Sequence, residues 1–202
     1  MFKSERHINR AKQNFHNKVR ATLVLGKPHL VTLTMLPIVN IKIAYALFTQ
    51  FGTRMRKVFG KDIVWIAVPE FQKRDAVHFH VLMWRLPYDT EKTEPQNRRI
   101  QNLWGYGYVD VIATDGGGGL SGYLAKYMSK AMSDYRLFGK KAYSCSRNAL
   151  SSVFVSSKTA VAFFREEFDL ANRKPTKDYI YETRWLGRVR QREYDGTIDG
   201  QQ

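Results

Sequence analysis

The order of apolar and polar positions divides most of the chain into short elements. His29-Leu30-Val31-Thr32-Leu33-Thr34-Met35 alternates, is rich in β-branched residues and is stopped by Pro37, which predicts a strand. From Asn40 to Phe59 the apolar residues Ile43, Ala44, Leu47, Phe48, Phe51, Met55 and Val58 recur at three- and four-residue steps. That spacing predicts an amphipathic helix, with Asn40 as N-cap and Gly60 as its stop. Asp62 to Glu70 is a largely apolar run and reads as a buried strand. After the polar turn Gln72-Lys73-Arg74-Asp75 comes a second strand, Val77 to Trp84, so the two form a hairpin.

Farther along, the pattern predicts a short helix over 96–104, a strand over 107–113 and a helix over 120–132 that follows the glycine run Gly116 to Gly119. Val153-Phe154-Val155 is expected to be a strand. Lys158 to Phe168 is expected to be a helix with Ala160, Val161, Phe163 and Phe164 inward. Residues 1–20 form a polar, basic helix or arm, residues 184–192 a basic and aromatic tail, and residues 196–202 a frayed end. With no repeat and no linker, the chain reads as a single α+β domain over residues 1–202.

Charge narrows the choice of partner. Lys and Arg number 33 against 18 Asp and Glu, a formal +15 with a pI near 10.0. Such a balance favours a polyanion, with nucleic acid ahead of an anionic membrane. No apolar run approaches the roughly 18 residues that span a bilayer, and the polar N-terminus lacks the apolar core of a secretory signal. The one cysteine, Cys145, excludes a disulfide framework and a cysteine-type zinc site, so the expected setting is cytoplasmic. The glycine run is not followed by the Lys-Ser/Thr of a nucleotide-binding P-loop and reads as a hinge.

Two groups of residues carry candidate chemistry. Side chains alternate across a strand, so His78 and His80 share one face while Phe79 points to the other. Two imidazoles about 7 Å apart at Cα can chelate one divalent ion. The hairpin brings Glu70 beside them as a third donor, leaving positions open for water and a phosphate oxygen. That mixed set suits Mg²⁺ or Mn²⁺, with Zn²⁺ as a further option. Taken singly, each of these residues is ordinary on a solvated strand; their coincidence in one place is the signal. The second group is Tyr123-Leu124-Ala125-Lys126-Tyr127-Met128-Ser129-Lys130. On a helix, Tyr123 and Tyr127 project together with Lys126 alongside, and the Tyr-x-x-Lys pattern occurs twice in overlap. A phenol is a weak nucleophile that becomes useful beside a polarised phosphate and a cation.

In this order the features resemble the HUH endonuclease superfamily, in particular the rolling-circle replication initiators of plasmids and single-stranded DNA phages. Val31-Thr32-Leu33-Thr34 is similar to that family's first motif and Ala76-Val77-His78-Phe79-His80-Val81-Leu82 to its metal motif. Tyr123 to Lys130 is similar to its third motif in the two-tyrosine form, as in isometric phage initiators. The resemblance spans residues 31–130. It implies a central antiparallel sheet of about five strands flanked by helices, a metal held by Glu70, His78 and His80, and a 5′-phosphotyrosyl intermediate with a free 3′-OH. Tyr127 is the first choice of nucleophile, Tyr123 the second, and Lys126 (with Lys130 as a further candidate) steadies charge on the phosphate.

The implied partner is single-stranded or hairpin origin DNA, with a separate helicase and polymerase. The N-terminal arm, Arg54/Arg56/Lys57, Arg98/Arg99 and the basic tail are expected to hold that DNA. Trp104 and Trp185 are expected either to stack on bases or to pack in the core. The alternatives are a transposase or mobilisation relaxase of the same chemistry, a non-catalytic basic nucleic-acid-binding module and, last, a metal-dependent hydrolase of small molecules.

Overall fold

The computed structural model describes residues 5–37, 39–72, 75–89, 93–114, 123–124, 126–127, 130–131, 134–137, 140–153, 155–183 and 187–194. The chain, which its sequence presents as one domain, forms two compact units, Met1–Ser152 and Val153–Gln202.

The first unit is built on a five-stranded antiparallel sheet. Its strands are β1 (His29–Thr34), β2 (Val64–Phe71), β3 (Val77–Trp84), β4 (Val109–Ala113) and β5 (Ser144–Cys145), in the spatial order β4-β1-β3-β2-β5. The helices are α1 (Glu5–Thr22), α2 (Ile41–Phe59) and α3 (Thr93–Trp104). The α+β architecture with a central antiparallel sheet is therefore as expected. Residues 1–20, whose sequence allows either a helix or an arm, are helical from Glu5, with Phe15 and Val19 fully buried.

Alternation sorts the sheet into two faces. On one, Val31, Leu33, Phe79, Val81 and Met83 are all buried against the helices. Phe79 sits at the centre, stacked on Phe48 of α2 at 4.7 Å and edge-on to Trp104 of α3 at 6.2 Å. Burial of a side chain of that size contributes about 1.5–3 kcal/mol. Asn40 caps α2 by accepting from the Ile43 amide at 3.0 Å, as its position predicts. The buried stripe of α2 is Ile41, Ala44, Phe48, Phe51, Gly52 and Met55, so Ile43 and Val58, expected inward, lie at its exposed margins. Gly52 belongs to that stripe because a Cβ there would lie 2.7 Å from the Trp65 ring.

Some of the basic residues expected on a DNA-binding surface are engaged within the fold. Arg54 donates from Nε to the Leu103 carbonyl at 2.6 Å and from Nη2 to the Trp104 carbonyl at 3.0 Å, closing the end of α3. Arg56 lies over the Trp65 ring and donates to Asn148, and Arg99 lies over the Phe59 ring. Lys57 and Arg98 are exposed. Trp104 is fully buried and donates from its indole to the Thr34 carbonyl at 2.8 Å, a core role.

The second unit contains α4 (Lys158–Glu167) and a two-stranded sheet of β6 (Lys177–Thr183) and β7 (Gly187–Glu193). Two expectations are corrected here. Val153 and Val155 are not in a strand: Val153 is 85% exposed and, among the described residues, no strand pairs with it. The helix at 158–168 has no buried residue, and Phe163 and Phe164 are 60% and 40% exposed rather than inward. The stretch read as a basic tail is the second strand of a hairpin, with Arg184 and Trp185 outside the described residues. Also outside them are the glycine run, Phe154, the frayed end and part of the helix expected at 120–132.

Candidate active site

The sheet face opposite the core carries the polar residues. Register sets Glu70 directly across from His78 on the β2–β3 ladder, and Thr34 and Thr32 across from His78 and His80 on the other side of β3. The hairpin turns through Asp75, whose φ of 64° gives it the left-handed conformation such a turn uses. Glu70 and His80 meet: Glu70 Oε2 is 2.7 Å from His80 Nε2. His80 is buried, and its Nδ1 has no hydrogen-bond partner among the described residues. His78 does not converge on the same point, since its ring lies 6.5 Å from that of His80 and tilted by 58°. Among the described residues no three His, Cys, Asp or Glu side chains are gathered around one point.

Tyr123, Leu124, Lys126, Tyr127, Lys130 and Ala131 are helical, and Leu124 and Ala131 are buried. Spacing of three and four residues puts the tyrosines and Lys130 on one side. Tyr127 stacks on the His80 ring, with centroids 3.7 Å apart and planes 22° from parallel. Tyr123 stands edge-on to Tyr127, and the two hydroxyls are 2.9 Å apart. Lys130 Nζ donates to Glu70 Oε1. Lys126, the lysine preferred from sequence, is exposed, so the cation nearest the carboxylate is the second candidate, Lys130.

The electrostatics follow from these contacts. Burial alone would raise the Glu70 carboxyl, but hydrogen bonds from Lys130 and His80, with their charges, hold it below its ordinary value. Burial pushes His80 down, and Lys130 adds to that effect, while Glu70 only partly offsets both. At neutral pH the contact is therefore a neutral imidazole donating from Nε2 to a carboxylate, not an ion pair. Tyr127 is pushed up to about 12, first by its hydrogen bond with Tyr123 and then by burial and the negative charge nearby.

The arrangement has the donors for a hard divalent ion. Two cis ligands at bonds of about 2.1 Å stand about 3 Å apart, so the Glu70–His80 pair needs to open by only a few tenths of an ångström. His78 shares their face and their end of the hairpin, and its ring must turn to join them.

The comparisons with known proteins fall on the same stretch. The model of the replication-associated protein ORF2 family matches residues 28–132, from the start of β1 to just beyond the tyrosine helix. The replication-associated protein ORF4 of Chlamydia phage 1 is 32% identical over 100 residues, which cover 40% of this chain and 24% of that protein. The aligned part is thus about a quarter of that curated relative's length. No solved structure matches the chain. Among the described residues no helix is long and apolar enough to cross a membrane. More than half of the chain, including every candidate site residue, lies within the family match, and the chain belongs to the replication-associated protein ORF2 family.

Proposed function

We propose that this chain initiates rolling-circle replication of a single-stranded DNA phage or plasmid as a metal-dependent, tyrosine-based DNA nickase. One observation carries the reading. The ring of Tyr127 lies on His80, and His80 touches Glu70, so a nucleophile and two metal donors from three separate parts of the sequence are in contact. Membership of a replication-associated family supports it, as does the charge of +15.

Glu70, His80 and a reoriented His78 are the residues that would hold Mg²⁺ or Mn²⁺. When bound there, the ion supplies a Lewis acid for a non-bridging oxygen of the scissile phosphate. The chain's own groups do the rest. Tyr127 or Tyr123 forms the new bond from its phenolic oxygen to phosphorus, and the bond to the 3′ oxygen breaks. The phenolic proton leaves to solvent, and the departing 3′ oxygen takes one up, giving a free 3′-OH and a 5′-phosphotyrosyl strand. Stacking on His80 fixes the Tyr127 ring, and Lys130 keeps Glu70 ionised until the metal arrives. The second tyrosine is placed for a later transfer that rejoins the strand, and Lys126, exposed on the same helix, is free to meet a phosphate.

The test is a labelled single-stranded origin oligonucleotide incubated with the protein and Mn²⁺ or Mg²⁺. The expected product is a covalent adduct that EDTA abolishes and that Tyr123→Phe/Tyr127→Phe cannot form. An adduct made by the double variant would refute the tyrosine chemistry, and one made in EDTA would refute the metal.

A further inference from the structure

We propose that the β6–β7 hairpin is a ribbon that docks on double-stranded DNA, seated in the major groove by Arg188, Arg190 and Arg192. It takes from the proposed function only that DNA is the partner; the nicking chemistry plays no part in it.

The three arginines occupy alternate positions of β7, so they project from one face of the ribbon. All three are exposed, with the Arg190 and Arg192 side chains 53% and 42% accessible. Register places Glu182, Ile180 and Asp178 across from them on β6. Asp178 does not merely cancel the charge. Arg190 Nε lies 2.9 and 3.1 Å from its two oxygens, Nη2 lies 2.5 Å from Oδ2, and Arg192 Nε lies 3.5 Å from the same Oδ2. The carboxylate thus holds neighbouring guanidinium groups by one edge and leaves Arg190 Nη1 to donate elsewhere. A guanidinium fixed in this way loses less rotamer freedom when it meets a phosphate or a guanine edge.

Dimensions fit the same partner. Alternate residues on a strand are about 6.6 Å apart, so the row from Arg188 to Arg192 spans about 13 Å. The major groove is about 12 Å wide and admits a two-stranded ribbon. The opposite face of the ribbon bears Tyr179 and Tyr181, each 45% exposed. An unpaired strand would stack on that aromatic face, whereas a duplex meets the arginine face. The charge row favours the duplex.

The experiment uses the whole chain and fluorescence anisotropy over a salt series, with a duplex of random sequence and a single strand of the same length. Arg188→Ala/Arg190→Ala/Arg192→Ala is expected to weaken duplex binding at least tenfold. The slope of log K against log salt should fall by about 2–3, near 0.9 for each phosphate left without its arginine. Single-strand binding and metal-dependent adduct formation should stay as in the wild type. The matching triple lysine variant is expected to recover most of the slope. Wild-type duplex binding by the alanine variant overturns the proposal, as does an equal loss on the single strand, or a lysine variant no better than alanine. A wild-type chain that binds duplex through this row but never forms an adduct would sink the nickase reading and leave the ribbon standing.

Discussion

Arg54→Ala separates two roles that the sequence leaves entangled. Within the basic cluster of α2, Arg54 reads as a DNA contact, yet its guanidinium donates to the carbonyls of Leu103 and Trp104 at 2.6 and 3.0 Å. These are the last two residues of α3, whose terminal carbonyls have no partner within the helix. A positive charge at that end also opposes the helix dipole, by about 0.3–1 kcal/mol. A hydrogen bond from a charged donor contributes about 1.5–3 kcal/mol net. The two bonds share one guanidinium that is only partly buried, so together they amount to about 2–3 kcal/mol rather than the sum. At about 2–4 °C for each kcal/mol, the melting temperature should fall by about 4–12 °C. Urea unfolding and a salt series of DNA binding measure both roles on the same variant. The structure calls for a large loss of stability with the salt slope unchanged. Arg54→Lys keeps the charge but not the fork, and should lose most of the same stability. Should Arg54→Ala unfold like the wild type while the salt slope drops by about one, Arg54 is a phosphate contact and the capping argument fails.

Four further outcomes follow from particular contacts. A Cβ on Gly107 would run into the Thr34 carbonyl, beside the 2.8 Å bonds that tie Thr34 to Tyr108 and Leu36 to Tyr106. Gly107→Ala should therefore cost about 3 kcal/mol or more in urea unfolding, and a wild-type midpoint would contradict the close approach. Burial pushes the Tyr45 phenol well above its ordinary value. Because the folded-state pKa is the raised one, its stabilising contribution is complete below the unfolded value of about 10 and is lost as pH rises from there towards the folded one. The melting temperature of the wild type should fall more steeply above pH 10 than that of Tyr45→Phe, and parallel curves would count against it. Tyr127 is held at about 12 chiefly by its bond to Tyr123. In metal-free buffer its ultraviolet phenolate titration should move down towards about 10 in Tyr123→Phe, and an unmoved titration would mean the two hydroxyls do not meet. Glu70→Gln should weaken Mn²⁺ binding about 10- to 100-fold by calorimetry, whereas unaltered affinity would remove Glu70 from the metal set.

How legible the fold was depended on where burial is decided. The strands at His29 and Val77 could be read because both their alternation and their turns are local. Their pairing followed for the hairpin, where the turn fixes the register, and Glu70 fell opposite His78 as expected. β5 was not legible. It is two residues long, and Ser144 and Cys145 are strand only because Ala67 and Ile66 of β2 offer a free edge. The phenylalanines of α4 mislead in the opposite direction. Their spacing is that of an inward stripe, but periodicity reports only that a face is apolar, and whether anything covers it is a tertiary property.

The site divides along the same line. His78 and His80 share a face by the two-residue period of a strand, and Tyr123 and Tyr127 by the four-residue step of a helix, so sequence alone could group each pair. What it could not supply was the placement of the helix on the sheet. Tyr-x-x-Lys occurs twice in overlap, and the Tyr123/Lys126 and Tyr127/Lys130 pairs have the same internal geometry, displaced by four residues. That displacement is one turn, about 6 Å along the axis and nearly none around it. No argument from spacing can choose between two such copies. The stacking of Tyr127 on His80 makes the choice, because it carries the next lysine, Lys130, to the Glu70 carboxylate and leaves Lys126 a turn behind in solvent. A slide of one turn would put Tyr123 on His80 and Lys126 on Glu70, with nothing in the local pattern disturbed. The register of helix against sheet, held by Leu124 and Ala131 in the core, is therefore what ranks the two tyrosines.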